Sequence, residues 1–281
     1  MSTAFVFGGG GLLGATEVGM LRAVIEAGYR PDLVLGTSIG AINGAMAAAD
    51  PGPGCVERLT SLWDSLTANE VFGGRLKRLR LAASTGTHLH STESLQSIVE
   101  RELGSIAIED LAVPFQCCAA SIERAAETWF DSGPLALAVA ASCAVPGLFA
   151  PVRVGDEHFF DGGLVNSLPV GRAIELGATT VFVLHVGRVE QPLKPPRRPW
   201  EVATVAFEIA RRHRFFADMA SIPPGVTVHL LPAGGVHSPS ANLRYRDAQR
   251  VRGRIDAAYQ ACQEYLAELE PGLARGGEGR G

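Results

Sequence analysis

The first fifty residues alternate between short apolar runs and helical patterns, and this alternation constrains the fold more than any other feature. An apolar run at residues 4–7 precedes a helical pattern over residues 14–27, with Gly28 in the position of a terminating glycine. The runs "PDLVLGTS" and "SIGAINGAMAAA" repeat this order of strand and helix. Because strands joined through a helix pair in parallel, the chain is predicted to be an α/β protein with a mainly parallel sheet.

The rest of the chain continues this mixture without an internal repeat or a clear linker. Strands are predicted in "VPFQCCAASI", "AETWF", "VRVGDEHFFDGG", "TTVFVLHVG" and "GVTVHLLPA", the third of these as a hairpin. Helices are predicted in "SLPVGRAIELGA", with a cap at Ser167, and over residues 200–220 and 242–269. We therefore expect a single domain over residues 1–270 and a mobile glycine-rich tail over residues 271–281.

The composition limits the classes of function. The 281 residues are 47% hydrophobic, which is enough for a sizeable core, and the net charge of −4 argues against a general affinity for nucleic acid. The five cysteines form no C-x-x-C pair, and no spacing is typical of a zinc or calcium site, so reduced thiols and no metal or cofactor are expected. The chain begins without a signal-peptide pattern, and prolines interrupt its most apolar stretch at residues 134–152, so we expect a cytoplasmic protein.

The strongest chemical signal is the pattern G-x-S-x-G, formed by Gly36, Ser38 and Gly40 between a predicted strand and a predicted helix. The pattern is typical of a sharp turn that presents a serine hydroxyl, because the glycines let the strand and the helix approach closely. The amide of Ile39 then lies at a helix N-terminus, where it is free to donate and where negative charge is favoured. Ser38 is therefore the candidate nucleophile, although an ordinary glycine–serine turn before a packed helix has the same sequence.

A nucleophilic serine needs a base, and two side chains qualify. His237 follows a late predicted strand, which is where a Ser-His-Asp hydrolase carries its histidine. Asp161 in "FFDGG" ends an apolar strand, and Gly162 and Gly163 permit an unusual backbone beside it. An ordinary Asp-Gly turn would also explain the second pattern, so the residues alone leave the base open.

A glycine-rich loop follows the first predicted strand. Gly9, Gly11 and Gly14 fit G-x-G-x-x-G, which is also the spacing of a dinucleotide-binding loop. That interpretation requires an acidic residue at the end of the second strand, whereas Asp32 precedes this strand. The loop is therefore better explained as a set of backbone amides that face some other negative charge.

The glycine loop, "GTSIG" and "DGG", in this order, resemble the patatin-like phospholipases. The runs "EVGML", "ASCAVPGLFAPV" and "FFDGGLVNSLPV" extend the resemblance, which covers residues 4–186. It implies a three-layer α/β/α sandwich and hydrolysis of lipid acyl esters through an acyl-enzyme, with Ser38 as nucleophile and Asp161 as base. It also implies an oxyanion hole made by the amides of Gly9, Gly10 and Gly11.

One position departs from the family, and two segments suggest a partner. Members of the family commonly carry Arg or Lys just before the last glycine of the loop, where this chain has Leu13. The lost charge predicts a preference for neutral esters over anionic phospholipids. The basic runs "RLKRLRL" at residues 75–81 and "ARRHRFF" at residues 210–216 suggest weak peripheral binding to a membrane. Each run taken alone is better explained as a solvated helix face or a lid. A pseudoenzyme that binds lipid without turnover remains the alternative to an enzyme.

Overall fold

The computed structural model of the protein describes residues 2–66, 90–186, 189, 192–235 and 248–269. Three features of the sequence therefore lie outside the described residues: the basic run at residues 75–81, the candidate base His237, and the C-terminal tail. The strands are β1 (Thr3–Phe7), β2 (Leu33–Thr37), β3 (Phe115–Ser121), β4 (Ala126–Phe130), β5 (Val152–Val154), β6 (Glu157–Asp161), β7 (Thr180–Leu184) and β8 (Thr227–Leu230). The α-helices are α1 (Ala15–Glu26), α2 (Ile39–Ala49), α3 (Pro53–Leu66), α4 (Glu93–Leu103), α5 (Leu135–Ser142), α6 (Val170–Glu175), α7 (Pro199–Ala220) and α8 (Ala248–Leu269).

The eight strands form one sheet in the order β5-β6-β3-β2-β1-β7-β8, with β4 paired to β3. The centre is parallel, through β3–β2, β2–β1, β1–β7 and β7–β8, whereas β4, β5 and β6 join in antiparallel pairs. The prediction of a mainly parallel sheet is therefore confirmed, with an antiparallel region beside β3.

One edge of β3 is shared by two strands, and this sharing positions the site. Along this edge, β2 pairs with the first part of β3 and ends with Thr37 opposite Cys118. At the next position β6 takes over, with Asp161 opposite Ala119. The C-terminal ends of β2 and β6 therefore meet at neighbouring positions, and the residue that follows Thr37 is Ser38.

Helices cover both faces of the sheet. The alternation of side chains along β1 turns Phe5 and Phe7 towards the larger core, which is formed with α1–α5 and α8. It turns Val6 towards a smaller core formed with α6 and with Phe215 of α7. α1 and α8 touch closely, because a Cβ on Gly19 would lie 2.0 Å from the carbonyl oxygen of Ile255. The three-layer α/β/α sandwich is therefore confirmed.

The helices and strands predicted from the sequence are present wherever the structure describes them, and one detail is wrong. The sequence predicts Ser167 as the cap of α6, but this helix begins at Val170 and has Pro169 in the capping position. The hydroxyl of Ser167 instead accepts a hydrogen bond from Arg211 on α7. A side chain distant in sequence thus replaces the local contact that the pattern predicted.

Candidate active site

Ser38 lies in a strained turn between β2 and α2. Its backbone adopts φ 57° and ψ −128°, a left-handed conformation that is rare for a residue with a side chain. Close packing imposes this turn: a Cβ on Gly36 would lie 2.5 Å from the carbonyl oxygen of Gly40, and one on Gly40 would lie 2.4 Å from that of Phe7. The two motif glycines therefore allow the close approach of strand and helix that the sequence predicted.

Three further contacts fix the backbone of Ser38. Its amide donates to the hydroxyl oxygen of Ser142 at 2.9 Å, and that hydroxyl donates to the carbonyl oxygen of Cys118 at 2.6 Å. The carbonyl oxygen of Ser38 accepts from the thiol of Cys143 at 2.9 Å and from the amide of Ala41 at 2.8 Å. The end of α5 thus supports the turn at Ser38 between β2 and α2, which we call the elbow, a role that the sequence analysis did not identify.

The carboxylate of Asp161 faces the Ser38 hydroxyl directly. Ser38 Oγ donates to Asp161 Oδ2 at 2.5 Å, across the junction of β2 and β6 on β3. The other oxygen, Oδ1, accepts from the amide of Gly163 at 2.7 Å. Gly162 is required at this junction, because a Cβ there would lie 2.1 Å from the carbonyl oxygen of Cys118. The side chains of the two predicted catalytic residues therefore lie together and are almost completely buried.

Burial changes the chemistry of Asp161. Loss of solvent raises the pKa of this carboxyl to about 6, against the opposing effects of hydrogen bonds from Ser38 and Gly163 and of the positive charge of Arg211. The carboxylate is still ionised at pH 7, and it holds a proton more readily than an exposed aspartate does. The site thus pairs a hydroxyl with a carboxylate whose basicity is increased by its environment.

The glycine loop between β1 and α1 lies beside the elbow. A Cβ on Gly9 would lie 3.2 Å from the Cβ of Ser38, while the Gly9 amide donates to the carbonyl oxygen of Ser167 at 3.0 Å. For the amides of Gly10, Gly11 and Ile39, the described part of the chain provides no backbone acceptor. Of the four amides that the sequence nominated for an oxyanion, Gly9 is engaged elsewhere and the other three are available.

Arg211 on α7 reaches the glycine loop and corrects one expectation. Its Nη2 donates to the carbonyl oxygen of Gly9, and its Nε donates to Ser167 Oγ at 2.7 Å. Leu13 is buried in the core, as its apolar side chain requires. The loop therefore does have a positive charge nearby, which a distant helix supplies although Leu13 carries none. The preference for neutral esters stays a prediction.

The segment at residues 210–216 is turned inwards in part. The side chain of Arg211 is 10% exposed and pairs with Glu208 at 2.9 Å, and Arg212 lies 3.7 Å from the same carboxylate with 14% exposed. Phe215 is buried in the smaller core, whereas Phe216 is 53% exposed. Little of the two guanidinium groups is left for lipid headgroups, so peripheral membrane contact stays a prediction. Each helix in the described ranges is too short or too polar to span a bilayer.

A buried acid lies beneath the glycine loop. Glu17 on α1 accepts from Nδ2 of Asn43 at 2.8 Å, and the same amide group donates to the carbonyl oxygen of Gly14 at 3.0 Å. The indole of Trp63 donates to Oδ1 of Asn43 at 3.1 Å. Asn43 therefore joins Glu17 and the end of the loop to α2 and α3. Burial raises the pKa of Glu17 well above its usual value.

Two of the described histidines near the sheet, His185 and His158, have other environments. His185, directly after β7, is buried, and loss of solvent lowers its pKa to about 4. His158 on β6 lies 2.8 Å from the carboxylate of Glu123. The hydroxyl of Ser38 donates to Asp161 and to neither of these imidazoles.

Comparison with known proteins gives the family. The model of the patatin-like phospholipases matches residues 5–174, more than half of the chain, so the chain belongs to the patatin-like phospholipase family. An uncharacterised NTE family protein of Mycobacterium tuberculosis is 30% identical over 187 residues, which are 66% of this chain and 49% of that protein. A lysophospholipase of Mycosarcoma maydis is 28% identical over 289 residues, covering 97% of this chain and 15% of the fungal protein.

A solved structure, VipD of Legionella pneumophila, aligns with a TM-score of 0.46 and 14% identity, over 95% of this chain and 66% of VipD. The chain spans about half the length of the mycobacterial relative and a much smaller part of the fungal one.

Proposed function

We propose that the protein is a serine hydrolase of lipid carboxylic esters, with Ser38 as the nucleophile and Asp161 as the general base. The observation that carries the proposal is the 2.5 Å hydrogen bond between these side chains at a strained turn that opens a helix. Membership of a phospholipase family and similarity to a fungal lysophospholipase support the substrate class. Asp161 is supported as the base by the hydrogen bond that its carboxylate accepts from the nucleophile, while His237 lies outside the described residues.

The first half of the reaction forms an acyl-enzyme. Ser38 Oγ bonds to the ester carbonyl carbon while its proton passes to Oδ2 of Asp161. The tetrahedral intermediate then collapses, its bond to the alcohol oxygen breaks, and that oxygen takes the proton from Asp161. The amide of Gly163 holds the other carboxylate oxygen, so Oδ2 stays directed at the reacting atoms.

The second half regenerates the enzyme. A water molecule gives a proton to Asp161 as its oxygen attacks the acyl carbon, and the new intermediate collapses to release the fatty acid. Ser38 Oγ recovers the proton from Asp161 as it leaves. A single carboxylate thus moves every proton, and its pKa of about 6 makes it a stronger base than an ordinary aspartate while keeping it ionised at pH 7.

The negative charge of each intermediate develops beside the glycine loop. We assign the amides of Gly10 and Gly11, together with the amide of Ile39 at the start of α2, as the donors to this oxyanion. One such donor typically contributes about 3–4 kcal/mol to the transition state. Weak basicity of a carboxylate is thereby offset by strong stabilisation of the oxyanion.

Turnover of matched lipids tests the class of reaction. A monoacyl phospholipid with a zwitterionic headgroup, one with an anionic headgroup, and a monoacylglycerol with the same acyl chain are each incubated with wild type and with Ser38→Ala. Fatty acid release by wild type alone, from at least one lipid, is expected. Release by Ser38→Ala at the wild-type rate would overturn the assignment of the nucleophile, and no release from any lipid would favour a lipid-binding protein.

A further inference from the structure

Arg211 closes a ring of hydrogen bonds around the start of the glycine loop. Its Nε donates to the hydroxyl of Ser167 at 2.7 Å, and its Nη2 donates to the carbonyl oxygen of Gly9. The amide of Gly9 in turn donates to the carbonyl oxygen of Ser167 at 3.0 Å. The carboxylate of Glu208 accepts from Nη1 at 2.9 Å and so holds the guanidinium in this orientation. Both polar groups of the Gly9 backbone are therefore fixed.

The contact to Gly9 also sets the direction of the next amide. The Gly9–Gly10 peptide is trans, so the N–H of Gly10 points opposite to the Gly9 carbonyl and away from Arg211. Gly9 itself lies against the proposed nucleophile, because a Cβ added to Gly9 would lie 3.2 Å from the Cβ of Ser38. Because a peptide between two glycines has many accessible orientations, a specific contact is needed to select one.

Arg211 also acts on Asp161 through its charge. Its positive charge lowers the pKa of this buried carboxyl, as do the hydrogen bonds from Ser38 and the Gly163 amide. The titratable groups that interact with Asp161 from β3 and from the end of α5 are the thiols of Cys118 and Cys143, whose pKa burial raises well above the usual value. Both thiols are neutral at pH 7, so among these groups Arg211 is the one whose charge acts on Asp161.

Resting on the proposed hydrolase function, we propose that Arg211 is a positioning residue that holds the Gly9–Gly10 peptide with its amide directed at the oxyanion. The two contacting residues lie 202 positions apart in the chain. A guanidinium on the Gly9 carbonyl also polarises the peptide and strengthens the Gly10 amide as a donor. The loop thus receives from α7 the positive charge that the family usually places at the position of Leu13.

Three variants test this role. Arg211→Met removes the charge and the hydrogen bonds while keeping an aliphatic stem, and Arg211→Lys keeps the charge but loses the two-point contact. Arg214→Met is the matched control on the same helix, because Arg214 pairs with Asp218 at 2.9 Å and with Glu127 at 3.7 Å. Each variant is assayed for kcat, KM and the pH dependence of kcat/KM with a short-chain neutral ester, and its fold is checked by thermal unfolding.

A positioning role predicts a specific combination of results. Arg211→Met lowers kcat by about 100-fold with KM nearly unchanged, since the lost interaction is made in the transition state. The acidic limb of its pH profile of kcat/KM moves to higher pH, because Asp161 loses a neighbouring positive charge and its pKa rises. Arg211→Lys returns the acid limb towards wild type but leaves kcat low, and Arg214→Met behaves as wild type.

Several outcomes would overturn the proposal. These are an unchanged kcat in Arg211→Met, a rise in KM alone, or an equal loss in Arg214→Met. If Arg211→Met does not fold, Arg211→Lys decides by itself, and a wild-type kcat in that variant rejects the two-point contact. Failure of the proposed hydrolase function gives a different result: the wild type then releases no fatty acid, or Ser38→Ala releases it at the wild-type rate. Failure of the role of Arg211 alone leaves turnover that depends on Ser38 and is unchanged in Arg211→Met.

Discussion

The elbow at Ser38 and the glycine loop lie side by side in the site, but different contacts hold them. In the elbow, backbone meets backbone: an added Cβ on Gly36 or Gly40 would meet a carbonyl oxygen at 2.5 or 2.4 Å. In the loop, side chains make the closest approaches, since Gly10 faces the side chain of Val186 and Arg211 binds the carbonyl of Gly9, beside one backbone hydrogen bond from Gly9 to Ser167.

Close backbone packing makes the elbow rigid, whereas side-chain contacts leave the glycine loop adjustable. A strained serine backbone needs surroundings that determine it fully, and close backbone packing provides them. In the proposed mechanism the loop presents the amides of Gly10 and Gly11 to a transient charge, so these amides cannot be satisfied within a helix or a sheet. The contact of Arg211 to the carbonyl oxygen of Gly9 orients the Gly9–Gly10 peptide and leaves the N–H of Gly10 available.

The largest effect is expected at Gly40. In Gly40→Ala the new methyl group would meet the carbonyl of Phe7, which belongs to the central strand and cannot move. We expect a loss of stability of about 3 kcal/mol or more, measured by urea unfolding. Gly44→Ala on the same helix is the control, because its nearest neighbours are side-chain atoms at 3.2 Å. Equal stability of the two variants would contradict the distinction between backbone and side-chain support.

A smaller and repairable effect is expected in the loop. In Gly10→Ala the new methyl would lie 2.4 Å from Cγ2 of Val186, a side-chain atom. We expect Gly10→Ala to cost about 1–3 kcal/mol, and addition of Val186→Ala to restore part of that loss. A double-mutant cycle measures the coupling, and strictly additive effects would show that Val186 is not the obstacle.

Much of the elbow could be predicted from the sequence because its determinants are local. The glycines on either side of Ser38, and the order of strand and helix, are visible within a few residues. Asp161 was also identifiable as a candidate from its position at the end of a predicted strand. Its distance from Ser38 was not, since that follows from the way β2 and β6 share one edge of β3.

The support of the loop could not be predicted, because it depends on contacts that are remote in sequence. Arg211 belongs to a run of basic and aromatic residues that is typical of a membrane-facing surface. Only the packing of α7 against the smaller core turns this side chain towards Gly9. Ser167 likewise has the sequence context of a helix cap, while its contacts in the fold are with the loop and with Arg211.

The smallest effect is expected at Glu17, beneath the loop. Because its folded-state pKa is raised, the unfolded chain loses this proton first, and stability falls as pH rises from the unfolded pKa through the folded one. Glu17→Gln removes this term while an amide oxygen still accepts from Asn43. Urea unfolding should therefore show that the free energy of unfolding of Glu17→Gln, relative to that of wild type, is about 1 kcal/mol higher at pH 8 than at pH 5. If the wild type instead became more stable relative to Glu17→Gln at pH 8, Glu17 would have to be ionised and stabilised in the fold.

The most direct test of the pairing of Ser38 with Asp161 is the rate at which a fluorophosphonate labels the protein. The Ser38 oxygen displaces fluoride and forms a bond to phosphorus, and peptide mapping by mass spectrometry locates the adduct. We predict an adduct on Ser38 that forms about 100-fold more slowly in Asp161→Asn and at nearly the wild-type rate in His237→Ala. An adduct at another residue, or the reverse order of the two variants, would contradict the account.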